Sequence, residues 1–131
     1  MHLLDTNTLI YFFKGQGRVA ERLLAMAPSA VGVPAPVLYE LEYGIARSTQ
    51  ADKRRAQLDQ FLRSTQLLPF DEAAARAAGL TRAALESKGQ PIGPLDILIA
   101  GIALAQDAIL VTHNTREFAR IPGLRLEDWY D

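Results

Sequence analysis

The fold class this sequence predicts is a three-layer α/β/α sandwich around a central, mostly parallel sheet, and three observations predict it. Short apolar segments of strand length alternate with longer segments of helical periodicity along the whole chain. Strands joined through helices need crossover connections, which make them parallel. The 131 residues contain no internal repeat, low-complexity tract or dividing linker, so 1–131 reads as a single domain. A chain near this length buries roughly two-thirds of the surface its unfolded form exposes, enough for a core without staples.

Taken in order, His2 to Leu4 is a short apolar strand ending at Asp5, followed by helical periodicity from Asn7 to Phe13 and from Val19 to Met26. Ala30 to Val33 is a β-branched strand bounded by Pro28 and Pro34. Helical patterns then cover Pro36 to Arg47 and Ala51 to Arg63, and Leu67-Leu68 before Pro69 fits one more short strand. Asp71 to Ser87 opens on an alanine-rich stretch of good helix formers, and Leu95 to Gln106 is helical and almost wholly apolar. Ala108 to Thr112 is the clearest strand, followed by a helical turn from Thr115 to Ala119. Leu124 to Leu126 closes the series after a Pro122-Gly123 turn.

Composition excludes several chemistries. With no cysteine there is no thiolate zinc site, iron–sulfur cluster, cysteine nucleophile or redox switch, and His2 and His113 are the only imidazoles. Any metal would be held mainly by oxygen. Apolar residues at 49% and charged residues at 22% are ordinary for a globular domain and argue against disorder. A formal charge of -1 offers no global basic field for nucleic acid. The uncharged stretch from Leu23 to Tyr39 is broken by three prolines and cannot span a membrane, and Asp5 spoils a signal peptide, so the expectation is a soluble, cytoplasmic protein.

In open α/β sheets ligands gather beyond the carboxyl ends of the strands. Three polar groups fall there: Asp5-Thr6-Asn7, Thr112-His113-Asn114, and the helix start Gly93-Pro94-Leu95-Asp96. Asp96 is the strongest signal, because every other residue from Pro94 to Ala105 is apolar or glycine. A carboxylate in such a helix must be paired, capped or bound to a cation, although acids also favour the first turn of any helix. Asp5 is equally suited to N-capping the helix after it, and Asn114 with Glu117 has the spacing of a capping box. On the helix from Pro36 to Arg47, Glu40 and Glu42 flank a buried Val37, Leu38, Leu41, Ile45 stripe about 160° apart, so only one can face a given site. Gly44, one turn beyond Glu40, would admit close backbone approach and favours Glu40.

Together these pieces resemble the PIN-domain ribonucleases, specifically the VapC toxins of bacterial type II toxin–antitoxin modules. The match is carried by Leu3-Leu4-Asp5-Thr6-Asn7, Tyr39-Glu40-Leu41-Glu42-Tyr43-Gly44, Pro91-Ile92-Gly93-Pro94-Leu95-Asp96 with Ile99-Ala100, and Thr112 to Phe118 with Ile121-Pro122-Gly123-Leu124 and Glu127-Asp128-Trp129. The resemblance implies an α/β/α sandwich and an acidic pocket that binds Mg²⁺, with Mn²⁺ as the alternative. It implies endonucleolytic hydrolysis of structured RNA, such as transfer RNA, leaving a 5′-phosphate and a 3′-hydroxyl.

By the same resemblance Asp5, Glu40 and Asp96 match the family's best-defined acids. Asp5 and Asp96 are the expected direct metal ligands, and Glu40 is expected to orient the attacking water or act as general base. Where many relatives carry an aspartate this chain has Asn114, with Glu117 nearby, which weakens the case for a permanently occupied second metal site. Glu117 is assigned a role through water and Asn114 a neutral hydrogen-bonding one. Thr6 or Thr112 is expected to hydrogen-bond a carboxylate or phosphate oxygen, and Arg116 and Arg120, at i, i+4 spacing beside the pocket, to meet RNA.

The implied partners are an RNA substrate, a cognate VapB-type antitoxin, a second copy of the chain, and operator DNA only through the antitoxin; no membrane is implied. Leu9 to Phe13 and Val37 to Tyr39 are candidate linings for the antitoxin groove. If Asp5, Glu40, Asp96 and Glu117 converge on one metal pocket, the surface left for RNA is more basic than the total charge suggests. Two rivals exist. Asp5-Thr6-Asn7-Thr8 approximates a haloacid-dehalogenase-type phosphatase motif but lacks its second aspartate, and an inactive PIN-like binding module would have little reason to keep three matched carboxylates.

Overall fold

The computed structural model describes residues 1–131. Five strands, β1 (His2–Leu4), β2 (Val31–Pro34), β3 (Gln66–Leu68), β4 (Ile109–Val111) and β5 (Arg125–Glu127), form one parallel sheet in the order β3-β2-β1-β4-β5. Seven helices connect them: α1 (Thr6–Lys14), α2 (Val19–Leu24), α3 (Ala35–Arg47), α4 (Ala51–Ser64), α5 (Glu72–Ser87), α6 (Pro94–Ala105) and α7 (Thr115–Phe118). A single 3₁₀ turn, Pro28–Ala30, leads into β2.

Every strand and helix read from the sequence is present, with ends shifted by one or two residues. The central strands are legible because their neighbours alternate faces and yet are all buried: Leu3, Leu4, Val31, Val33, Leu110 and Val111 have no exposed surface. Burial on both faces means a helical layer on each side, which is the three-layer sandwich. Each fully buried large aliphatic side chain contributes roughly 1.5–3 kcal/mol, and the strands share the core with buried residues of the helices packed on both faces. No helix is long and apolar enough to cross a membrane.

Local chemistry sets the helix ends. The Asp5 carboxylate caps α1 by accepting from the Thr8 amide at 2.9 Å, and Gly15 closes α1 in the left-handed conformation at φ 68°. Asp71 caps α5 through the Ala74 amide in the same way. Pro94 opens α6 at its first position, where the missing amide costs nothing. The almost wholly apolar α6 lies against α5, and Gly101 makes this possible: a Cβ there would sit 2.7 Å from the Ala74 carbonyl oxygen and the Ala78 methyl.

Chain order reverses between β1 and β4, since β1 connects outward to β2 on one side while β4 returns on the other. A crevice opens at such a switch point, beyond the carboxyl ends of the strands. The register pairs Leu4 with Val111, so Asp5 and Thr112 leave the sheet side by side.

Candidate active site

Asp5 is 6% exposed and held at the end of β1 by its own amide, which donates to the Val111 carbonyl at 3.2 Å. Burial raises its pKa, opposed by the Thr112 and Thr8 hydroxyls and the Thr8 amide, which favour the charged form. The carboxylate is therefore both an N-cap and a buried acid at the switch point. The two readings of Asp5 are not exclusive.

Asp96 enters from the first turn of α6, half-buried, its carboxylate folded back toward Gly93. Its pKa is pushed up to about 6, first by burial and then by the charges of Asp5, Glu117 and Glu40. Those three names are the remaining acids read from the sequence. The fold brings the charges of all three to bear on Asp96.

Glu40 is placed by α3, its Oε1 accepting from the Thr6 hydroxyl at 2.6 Å, so the predicted threonine–carboxylate bond is made. Glu42 instead turns to α4 and forms a two-pronged ion pair with Arg55, Nη2 to Oε2 at 2.8 Å with Nη1 on Oε1. Val37, Leu41 and Ile45 are buried between the two glutamates while Leu38 is only partly so. Glu40 thus lies beside Thr6 and Glu42 beside α4, but the close approach expected at Gly44 is absent: a Cβ there would meet nothing within 4 Å, so no backbone packs there.

Glu117 and Asn114 come from the β4–α7 connection. Here the capping-box expectation fails, because Asn114 has ψ 54° and its side chain makes no cap bond. Its amide nitrogen Nδ2 donates instead to Glu117 Oε2 at 3.0 Å, and its backbone N–H donates to the Thr112 hydroxyl at 3.0 Å. The neutral hydrogen-bonding role expected of Asn114 is thus made toward Glu117.

The two arginines separate. Arg116 is exposed with no side-chain partner among the hydrogen bonds or ion pairs, whereas Arg120 lies beyond the end of the four-residue α7 and donates to the Pro91 carbonyl at 3.0 Å. That bond ties the chain after Glu117 to the loop before Asp96. Among the other basic residues, Arg55 is spent on Glu42 and Arg47 lies over the Tyr43 ring and donates to its hydroxyl.

Sequence reasoning gave no role to Asp128. It follows β5, and its charge reaches Asp5 and raises the pKa there. Its carboxylate takes the Tyr130 amide at 2.9 Å and lies 2.9 Å from His113 Nδ1. His113, Asp128 and Asp131 each offer a ligand atom within 4.8 Å of the others, a tighter grouping than the four acids make. The signal was the adjacency of β4 and β5, which places residue 128 near residue 113. His2, at the opposite end of the sheet, pairs with Glu127 at 3.2 Å, so the two imidazoles do not meet.

The donor set fits a hard divalent cation. It is all oxygen, it includes a buried Asp5, and burial together with the neighbouring negative charges makes Asp96 resist ionisation, a cost that Mg²⁺ or Mn²⁺ would relieve.

Comparison with known proteins agrees with this fold. The PIN domain family profile matches residues 2–124. The chain is 38% identical over 127 residues to the tRNA(fMet)-specific endonuclease VapC of Salmonella typhimurium, covering 97% of this chain and 96% of that one. It superposes with a TM-score of 0.91 and 36% identity on a chain of VapBC2 from Rickettsia felis bound to a promoter DNA fragment, covering 98% of each. VapBC-1 from nontypeable Haemophilus influenzae gives a TM-score of 0.88 at 30% identity, over 99% of this chain and 98% of that one. The chain belongs to the PIN-domain family, in its VapC ribonuclease branch. The phosphatase alternative falls with that assignment, and Asn7, where its second aspartate would stand, is exposed.

Proposed function

We propose that this chain is the toxin of a toxin–antitoxin pair and cleaves structured RNA endonucleolytically through a Mg²⁺-dependent site built from Asp5, Glu40, Asp96 and Glu117, with Mn²⁺ able to substitute. The observation that carries the reading is the convergence of Asp5, Glu117 and Glu40 on Asp96 at the β1/β4 switch point. Asp5 and Asp96 would hold the cation. When bound, it supplies Lewis-acid activation of water and offsets charge on the phosphoryl group under attack.

The protein groups do the rest. Glu40, fixed by the Thr6 hydroxyl, orients the attacking water and accepts its proton. Glu117, steadied by Asn114, acts through water on the far side of the pocket. The Thr112 hydroxyl favours the charged form of Asp5 and offsets part of the burial that raises its pKa. Arg116 is free to meet a phosphate, while Arg120 braces the Asp96 loop and reaches RNA only secondarily.

Transfer RNA as substrate, an antitoxin as partner and promoter DNA as the antitoxin's target are taken from what the similar proteins are named for. An apolar cavity of about 310 Å³ between α1, α3 and α4, lined by Ile10, Phe13, Leu41, Ile45 and Leu58, suits an antitoxin segment. Of the lining expected from sequence, Leu9 and Val37 are instead core residues with no exposed surface. The setting is the cytoplasm, where RNA and antitoxin meet, and a homodimer is the working assembly.

The test is incubation of the purified chain with total RNA in Mg²⁺ or EDTA, followed by sequencing of the new 5′ ends. Discrete 5′-phosphorylated ends that need Mg²⁺ and vanish in Asp96→Asn are the expected result. Cleavage unchanged in Asp96→Asn overturns the site.

A further inference from the structure

We propose that His113 is a positioning residue of the RNA-cleaving site, acting through its Nδ1 bond to Asp128 to hold the Thr112–Asn114 segment against Asp5 and Glu117. The inference rests on the four-acid reading above. Three consecutive residues leave β4, and they face in two directions. Thr112 is wholly buried beside Asp5, and Asn114 reaches Glu117. His113, between them, turns away and enters a separate built cluster.

That cluster is rigid for identifiable reasons. His113 Nδ1 meets Asp128 Oδ2 at 2.9 Å, and its ring stacks on Tyr130 with centroids 4.4 Å apart and planes 25° from parallel. Tyr11 of α1 packs edge-on against both rings, at 6.0 and 4.8 Å. Tyr130 is itself fixed through both of its backbone groups: its amide donates to Asp128 Oδ1 and its carbonyl accepts from the Arg18 amide, both at 2.9 Å. Behind it Gly17 leaves the needed space, since a Cβ there would lie 2.7 Å from the Tyr130 carbonyl oxygen.

The consequence lies in the loop. Thr112 ends the sheet with its amide on the Glu127 carbonyl at 2.9 Å, so β5 fixes the loop's start, and every hydrogen bond of Asn114, to the Thr112 hydroxyl, Glu117 and the Phe118 amide, stays inside the β4–α7 segment. His113 is the one side chain of the three that anchors this segment to the chain following β5. Without that tether the β4–α7 connection loses its link to Asp128, and the Asn114–Glu117 pair drifts from Asp96.

The chemistry permits a sharp test, because asparagine carries its amide nitrogen where histidine carries Nδ1, and glutamine carries it where histidine carries Nε2. His113→Ala, His113→Asn and His113→Gln would be compared for steady-state RNA cleavage, for Mn²⁺ affinity by calorimetry in the absence of RNA, and for melting temperature. The expected result for His113→Ala is a roughly tenfold fall in kcat with KM little changed, together with several-fold weaker Mn²⁺ binding, in a protein that still folds. His113→Asn restores both and His113→Gln restores neither.

Rescue by glutamine rather than asparagine, or a rise in KM alone, would mean that Nε2 touches RNA directly, and overturns the proposal. So does wild-type behaviour of His113→Ala, or a collapse in melting temperature that asparagine does not repair. Asp96→Asn separates the two claims: if it is inert while His113→Ala is active, only the positioning role fails, and if Asp96→Asn cleaves normally the four-acid site fails first.

Discussion

Asp96 sits in the first turn of α6, half-buried among apolar residues, and faces three other carboxylates. Its pKa of about 6 against an ordinary 3.8 has a definite thermodynamic sign. Well below pH 3.8 it is protonated in both folded and unfolded chains and makes no difference to stability; between about pH 4 and 6 the unfolded chain is ionised while the folded one still holds the proton, so the folded state loses stability across that window and no more above it. Partial exposure discounts the full 1.4 kcal/mol per unit, and we expect a penalty on the order of 1 kcal/mol at neutral pH. Asp96→Asn in EDTA should therefore melt about 4 °C above the wild type at pH 7.5 and lose that advantage near pH 4, as read by calorimetry. A lower melting temperature for the variant at pH 7.5 would show that helix-dipole stabilisation of the charge outweighs the repulsion. The residue was legible in the sequence because a lone acid in an apolar helix has few bland explanations. Asp128 and His113 were not, since their contact spans 15 residues and exists only once β4 and β5 are in register.

At the scale of the element, α3 carries two glutamates with opposite assignments, and the helix itself explains why. One faces Thr6 and the pocket, the other faces Arg55 on α4. Glu40→Gln should lower kcat by about 10²-fold, the usual loss for a positioned proton acceptor, without changing the fold. Glu42→Gln should leave cleavage intact and shift the melting temperature by no more than about 2 °C, because a partly exposed ion pair contributes little. Equal losses of activity would place both glutamates in the site and refute the helical-face argument. Helical periodicity made this division legible, but it could not choose the face; that needed the position of α4. The strands were legible for a related reason, burial on both faces, which gave β1, β2 and β4 continuous apolar runs. The β4–α7 turn was misread because Asn-x-x-Glu spacing specifies a cap only if the backbone at Asn114 adopts cap geometry, and at ψ 54° it does not.

For the molecule as a whole the question is how a chain of net charge -1 engages a polyanion. Its charges are unevenly placed. With Asp5, Glu40, Asp96 and Glu117 gathered at one switch point, eleven acids remain against fourteen basic residues on the rest of the chain. The acid site repels phosphate until a cation enters, and the remaining surface attracts it. RNA affinity should then depend on salt and on divalent metal in opposite ways. Fluorescence anisotropy with Asp96→Asn, which removes turnover and one repelling charge, should show affinity falling as NaCl rises from about 50 to 200 mM, with a logarithmic slope near -0.7 for each phosphate neutralised on a single strand. Arg116→Ala should make that slope shallower by about 0.7, since Arg116 has no competing protein partner, whereas Arg120→Ala should act mainly by loosening the Asp96 loop. For the wild-type chain, Mg²⁺ replaced by Ca²⁺ to suppress cleavage should tighten binding at constant ionic strength. Affinity indifferent to both salt and divalent cation would mean that RNA is held by stacking or by a second protein, and that charge placement on this chain does not govern recognition.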